Sequence, residues 1–376
     1  MTVLLKPETK KLQYIDTLRG VAIMMVMLVH TTQVVPDLPF LTNTLADLGK
    51  LGVQLFFVLS AYTLCLSASK RQKEDNPLLF FYIRRFFRIA PLYYLGIALY
   101  GLYHLAIGAD TSYFTLKNIL ANVFFVHGFY IPANNTIVPG GWSIGTEMAF
   151  YAIFPFVFYF YKRRVRNRTG MLLFPLVAMV CCLLLTQLLL YISNYSLNEN
   201  AFLYFNLLNQ LPVFLLGISY YCFTRKYIHV SLPAASFVWP AVCYALVLAA
   251  GFFFFRDNIT SKPFIAGLIF VVLLQLVKKV KSLNVRFLSR IGQLSYAMYL
   301  FHFVFAWSFS GELALSLSPF LDAHLVLLIC YLTTILATLI TAVISEKTLE
   351  RYGTACGRLL IRLMKAGRVP VTEAKT

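Results

Sequence analysis

Ten apolar runs, most of them close to the roughly 20 residues needed to cross a hydrocarbon core, dominate this chain. They lie at 15–35, 51–69, 89–108, 142–161, 171–192, 204–222, 236–255, 263–277, 291–310 and 324–345. Lipid offers a backbone no hydrogen-bonding partner, so a run of this kind crosses as a helix that satisfies its own amides. The predicted fold class is therefore all-α and integral to a membrane: a polytopic bundle of about ten transmembrane helices forming one domain over residues 1–376. Charged residues make up only 13% of the chain, about half the share usual in soluble proteins. That excludes an ordinary globular enzyme, a disordered chain and a secreted disulfide scaffold.

The charge that remains is strongly basic, with 33 Lys and Arg against 15 Asp and Glu. Such a balance can mark a nucleic-acid partner, but its distribution argues for topology. With the N-terminus in the cytoplasm, 29 of the 33 basic residues fall inside, and only Lys50, Lys117, Arg256 and Lys262 fall outside. This is the positive-inside pattern. It holds only if an eleventh apolar stretch, 114–131, does not cross. That stretch is broken by Asn118, Asn122, His127 and Gly128. The expectation is ten spans, both termini cytoplasmic, 346–376 as a basic cytoplasmic tail, and 114–131 as a re-entrant or interfacial helix in a long outer loop. Membrane lipids are expected partners and nucleic acid is not. The polar start of the chain suggests no cleavable signal peptide, and no CxxC motif occurs.

An ionisable side chain within the bilayer costs about 2.5–3.5 kcal/mol on insertion scales, so each is a functional candidate. The first run reads YIDTLRGVAIMMVMLVH. Arg19 and His30 are eleven residues apart, which on a helix brings them within about 20° of one face and roughly 16 Å apart along the axis. Asp16 shares that stripe. In PGGWSIGTEMAFYAIFP, Glu147 is the one carboxylate deep in an apolar segment; Ser143, Glu147 and Tyr151 form a stripe, with Trp142 at its outer end. In IGQLSYAMYLFHFVFAW, Ser295, Tyr299 and His302 form another. Arg84, Arg85 and Arg88 cluster at the inner end of the third run, and arginine forks suit phosphate oxygens. Anchoring, helix-to-helix bonding and packing are the plain alternatives for each group. The layout nonetheless has a direction: phosphate-binding arginines inside, histidines and a glutamate toward the outside. No metal site is expected.

Five segments together resemble the acyltransferase-3 family of integral membrane acyltransferases, many of which O-acetylate bacterial cell-surface polysaccharides. They are IDTLRGVAIMMVMLVH, LGVQLFFVLSAYTL, FYIRRFFRIAPLYY, GGWSIGTEMAFY and IGQLSYAMYLFHF, in the family's order over residues 14 to about 345. Two features depart from the pattern. Leu59-Ser60-Ala61-Tyr62 replaces the usual LSG-F step, and no proline follows Glu346 or Glu350. The resemblance implies an acyl-CoA donor, usually acetyl-CoA, and a glycan or lipid-linked saccharide acceptor beyond a bacterial inner membrane. It makes His30 the catalytic histidine and Arg19, Arg85 and Arg88 essential basic residues, and it puts Trp142, Ser143 and Glu147 in the active-site region.

The residues and the resemblance combine into one expectation, an O-acetyltransferase. His30 would serve as general base or transient acyl carrier, oriented by Glu147, with Asp16 and Arg19 beside them on the catalytic stripe. Arg84, Arg85 and Arg88 would take the acyl-CoA phosphates, and Trp142, Ser143, Tyr299 and His302 would face the acceptor. The rival is a transporter or flippase of a glycan or anionic solute, for which buried Arg, Glu and His are equally expected. The lack of a visible inverted repeat counts against it.

Overall fold

The computed structural model describes residues 12–193, 201–227 and 261–366. The seventh predicted run, 236–255, lies outside them, as do residues 1–11 and 367–376. Among the described residues every regular element is helical. Eight helical stretches are long and apolar enough to cross a membrane, and the protein is an all-α membrane protein.

The elements in order are α1 (Gln13–Thr32), α2 (Phe40–Asp47), α3 (Gly52–Lys70), α4 (Pro77–Ala106), α5 (Leu116–Val123) and α6 (Gly141–Arg164). Then come α7 (Arg168–Ser193), α8 (Phe202–Phe205), α9 (Leu207–Tyr227) and α10 (Ser261–Lys279). Last come α11 (Arg286–Phe303), a π-helical turn at Val304–Phe309, α12 (Ser310–Leu317), α13 (Ala323–Ser345), a second π turn at Glu346–Glu350 and α14 (Arg351–Ala366). The third run starts later than its helix. Pro77 at the first turn of α4, where its missing N–H costs nothing, sets the start well before Arg84, so all three arginines lie within the helix. The eight residues of α5 extend only about 12 Å, too short to cross.

Membrane helices have no lipid-excluding force to hold them together, so close backbone approach at small residues does that work. α1 and α11 cross where Gly20 meets Leu288 and Gly292 meets Asp16. A Cβ on Gly292 would stand 1.7 Å from the Asp16 carbonyl oxygen, and one on Gly20 would stand 2.1 Å from that of Leu288. This contact locks the helix bearing Arg19 and His30 against the helix bearing Tyr299 and His302. α3 joins the pair through Gly52, and Gly217 of α9 abuts Val58 of α3. The buried core centres on α1, α3, α6 and α11, while α7 is mostly exposed along its length. Beyond α13 the chain remains helical, and Gly353 and Gly357 seat α14 on Phe87 and Pro91 of α4.

Candidate active site

α6 is positioned by its first residues. Gly140 has φ +73°, a conformation glycine adopts without strain, and a Cβ there would stand 2.7 Å from the Phe303 ring. The carbonyl this turn presents accepts a hydrogen bond from the Tyr299 hydroxyl (3.1 Å), which in turn accepts one from Ser143 Oγ (2.8 Å). Trp142 stacks on Phe205 at 4.4 Å and meets Phe57 edge-on. The stripes on α6 and α11 are thus joined through Ser143 and Tyr299.

One helical turn further into the membrane lies a cavity of about 110 Å³ whose lining includes Arg19, Ser60, Arg88, Glu147, Tyr151 and Glu350. Glu147 Oε1 accepts hydrogen bonds from Ser60 Oγ and from the Tyr151 hydroxyl, each at 2.5 Å. Two hydroxyl donors converging on one oxygen hold the Glu147 side chain in one rotamer. Asp16 does not line the cavity; its Oδ2 accepts from Nε2 of Gln293, which does, at 3.2 Å.

The three arginines of α4 have different surroundings. Arg84 is bonded to both carboxylate oxygens of Glu74, at 2.9 and 3.3 Å. Burial of Glu74 works upward on its carboxyl, but Arg84 and Arg71 outweigh it and hold the group below the usual carboxylate range. Arg85 lies 5.7 Å from the ring centres of both Phe81 and Tyr151, its Nε buried without a partner. Arg88 is exposed and lines the cavity. Among the described residues, Arg88 and Arg85 are therefore the pair whose guanidinium donors are not taken up by a carboxylate.

His30 lies apart from this cavity. Its Nδ1 is 3.1 Å from Gln33 Oε1, and no hydrogen bond joins it to Glu147 among the described residues. Its ring packs against His302 (5.3 Å between centroids), Phe303 (4.5 Å) and, edge-on, Trp307 (5.7 Å). His302 is fully buried, with Nδ1 2.7 Å from the Tyr299 carbonyl oxygen and Nε2 without a partner. The Tyr299 ring is 5.7 Å from that of His302, so Tyr299 and His302 span from the cavity to His30. The residues therefore fall into two groups: Arg19, Arg88, Glu147, Ser143 and Tyr299 around the cavity, with Asp16 bonded to Gln293 of its lining, and His30 with His302 beyond the Tyr299 end of it. Gln33 and Gln293 are contributors that the sequence reading did not name, and Ser60 and Glu350 are contributors it noted only as departures from the family's pattern. Ser60 was visible as a hydroxyl in an apolar run, and Glu350 as a carboxylate one turn past Glu346. No group of three or more His, Cys, Asp or Glu side chains among the described residues could hold a metal ion.

Residues 12–343 match the family model described as an acyltransferase domain. The chain is 30% identical over 168 residues to peptidoglycan O-acetyltransferase OatA of Listeria monocytogenes, covering 41% of this chain and 25% of that protein. It is 25% identical over 335 residues to a presumed O-acetyltransferase of Staphylococcus aureus, covering 78% of this chain and 51% of the other. It is 32% identical over 110 residues to the exopolysaccharide production protein ExoZ of Rhizobium meliloti, 28% of this chain and 33% of that one. The chain thus spans a quarter to a half of the length of the first two. No solved structure matches it.

Proposed function

The chain belongs to the acyltransferase-3 family, and from that premise we propose that it is an O-acetyltransferase of a bacterial inner membrane. In this reading it takes an acetyl group from cytosolic acetyl-CoA to a hydroxyl of an extracytoplasmic glycan or lipid-linked saccharide. The relatives named for peptidoglycan O-acetylation and exopolysaccharide production support a cell-envelope glycan as acceptor. With ten spans and both termini inside, as the loop charges suggest, α4 and its arginines would open to the donor side.

The observation that carries the reading is the convergence of Arg19, Arg88 and Glu147 on one cavity, with a chain of aromatic and imidazole rings leading from its wall to His30. Arg88 and Arg85 hold the donor phosphates, and the cavity takes the thioester head. Arg19 lines the cavity, and its charge draws the thioester carbonyl as the head passes outward along Tyr299 and His302 toward His30. His30 Nε2 takes the proton from the acceptor hydroxyl as its oxygen attacks the acyl carbon. The carbon–sulfur bond then breaks, and the proton passes from the imidazolium to the departing sulfur. In the covalent variant, His30 Nε2 itself displaces the sulfur and hands the acyl group to the sugar. Glu147, held by Ser60 and Tyr151, fixes the shape and charge of the cavity and does not bond His30 directly.

Mass spectrometry of envelope glycan from cells expressing the chain tests this. Acetyl ester should depend on the chain and disappear in His30→Ala at equal membrane abundance. Full ester content with His30→Ala overturns the role of His30. Ester content independent of the chain overturns the acetyltransferase.

A further inference from the structure

His30 does not choose its own tautomer. Gln33 Oε1 lies 3.1 Å from Trp307 Nε1 and 3.1 Å from His30 Nδ1. The indole N–H can only donate, so the Gln33 amide must turn its oxygen toward Trp307, since the flipped amide would set donor against donor. That oxygen has a second lone pair and can only accept. His30 Nδ1 must then carry the proton that it donates to Gln33, which leaves Nε2 as the unprotonated nitrogen. Among the described residues Nε2 has no hydrogen bond, and it is not one of the buried side-chain atoms that lack a partner, so its lone pair remains open to a reacting hydroxyl. Trp307 lies within the π-helical turn Val304–Phe309, a wide turn of a kind frequent at functional sites. That turn shifts Trp307 from the register of an unbroken α-helix.

We propose that Gln33 is a positioning residue of the transfer reaction: with its oxygen aimed by Trp307, it holds His30 in the Nδ1–H form with Nε2 free to act. The proposal rests on the reading of His30 as the base or acyl carrier, both of which use the same free Nε2. The groups that face His30 are His302 on α11 and, on the outer segment, Asp47 and Lys50, which pair with each other at 2.5 Å. None of them competes for Nδ1.

The test uses the full chain in vesicles, following CoA released from acetyl-CoA with isolated envelope polysaccharide as acceptor. Gln33→Met keeps the length and removes the oxygen. It should lower kcat by about 10- to 100-fold, the range seen when an orienting partner of a ring nitrogen is lost, with the KM for acetyl-CoA unchanged. Gln33→Glu keeps the acceptor, so it should retain turnover. Its carboxylate favours the protonated ring, so the rising limb of the pH–rate profile should move to higher pH. This variant is close in shape to the native residue and carries the test if Gln33→Met does not assemble. Trp307→Phe should give a smaller loss, and the double variant with Gln33→Met should be no slower than Gln33→Met alone, because both act through one oxygen. An unchanged kcat and pH profile in both Gln33 variants, with His30→Ala inactive, overturns the positioning role alone. An active His30→Ala overturns the reading beneath it as well.

Discussion

Three arginines within five residues of α4 show how much of the chemistry is decided by what each side chain touches. Arg84 already has a bidentate carboxylate partner in Glu74, and the depressed carboxyl of Glu74 stays ionised at neutral pH, so the pair persists there. Arg88 faces the cavity. Losing a charge-assisted bond to a phosphate costs about 1.5–3 kcal/mol, and 1.4 kcal/mol is tenfold in affinity. Arg88→Ala should therefore raise the KM for acetyl-CoA about tenfold or more, with the larger share of the effect in KM. Arg84→Ala should change it much less. Initial rates against acetyl-CoA concentration check the ranking, and equal effects would mean that Glu74 releases Arg84 when the donor binds. Sequence could group these arginines because helical spacing puts them near one another. It could not rank them, because Glu74 lies ten residues away in a connecting segment with no regular period. The same limit explains Glu147: the stripe with Ser143 and Tyr151 was legible on one helix, whereas Ser60 reaches it from α3, and no local pattern encodes a distance between helices.

At the scale of elements, the segment between α4 and α6 is a built structure. α5 turns Leu116, Leu120 and Phe124 outward at one-turn intervals, 72%, 43% and 70% exposed, and buries Asn118 and Asn122. Asn122 accepts from the Tyr93 hydroxyl at 2.7 Å and donates to the Asn118 and Ala133 carbonyls. The polar residues that interrupted the apolar stretch are thus the ones that fasten it to the bundle, and its apolar face points away from the bundle. His127 completes the fastening. It is buried, stacked on Tyr93 at 5.8 Å, and its Nε2 donates to the Gly141 carbonyl at 3.0 Å, at the start of the active-site helix. Burial lowers its pKa more than the bond to Gly141 raises it. A base whose folded pKa is depressed stabilises the fold above its ordinary value of about 6.5, and that contribution is lost as pH falls through the lowered value. Thermal unfolding in detergent should accordingly show Tm dropping between pH 7 and pH 5. His127→Gln, which keeps a donor for Gly141 but cannot take up a proton, should start lower and fall less. Parallel pH dependence in the two proteins would remove His127 from this account. Sequence showed that 114–131 was unfit to cross; which of its residues face inward depends on Tyr93 and Gly141, both remote from it in the chain.

For the whole molecule, the question is which way the bundle faces, since the proposed chemistry has a donor side and an acceptor side. The basic residues supply the argument. Arg71, Arg84, the cluster from Lys162 to Arg168, Arg225 and Lys226 lie toward ends of helices that the alternation of crossings assigns to one side, and the bonds of Lys278 to Tyr62 and of Gln13 to Asn284 bring Lys278, Lys279, Arg286 and Arg290 to that same side. α14 extends that side: Arg351, Arg358, Arg362 and Lys365 recur at helical spacing on it, while Gly353 and Gly357 hold it to α4 near Arg84 and Arg88. The opposite side carries α2, α5 and the Gly140 turn, with few basic residues. If positive charge is retained in the cytoplasm, the proposed reaction has Arg88 toward its donor and His30 toward its acceptor, the order transfer across a bilayer requires. Cysteine labelling decides it. With the native cysteines replaced, Thr136→Cys should react with a membrane-impermeant maleimide on intact spheroplasts, and Ser282→Cys only after permeabilisation. The reverse pattern would carry the arginines of α4 outside, out of reach of cytosolic acetyl-CoA, and the proposed direction of transfer would fall with it.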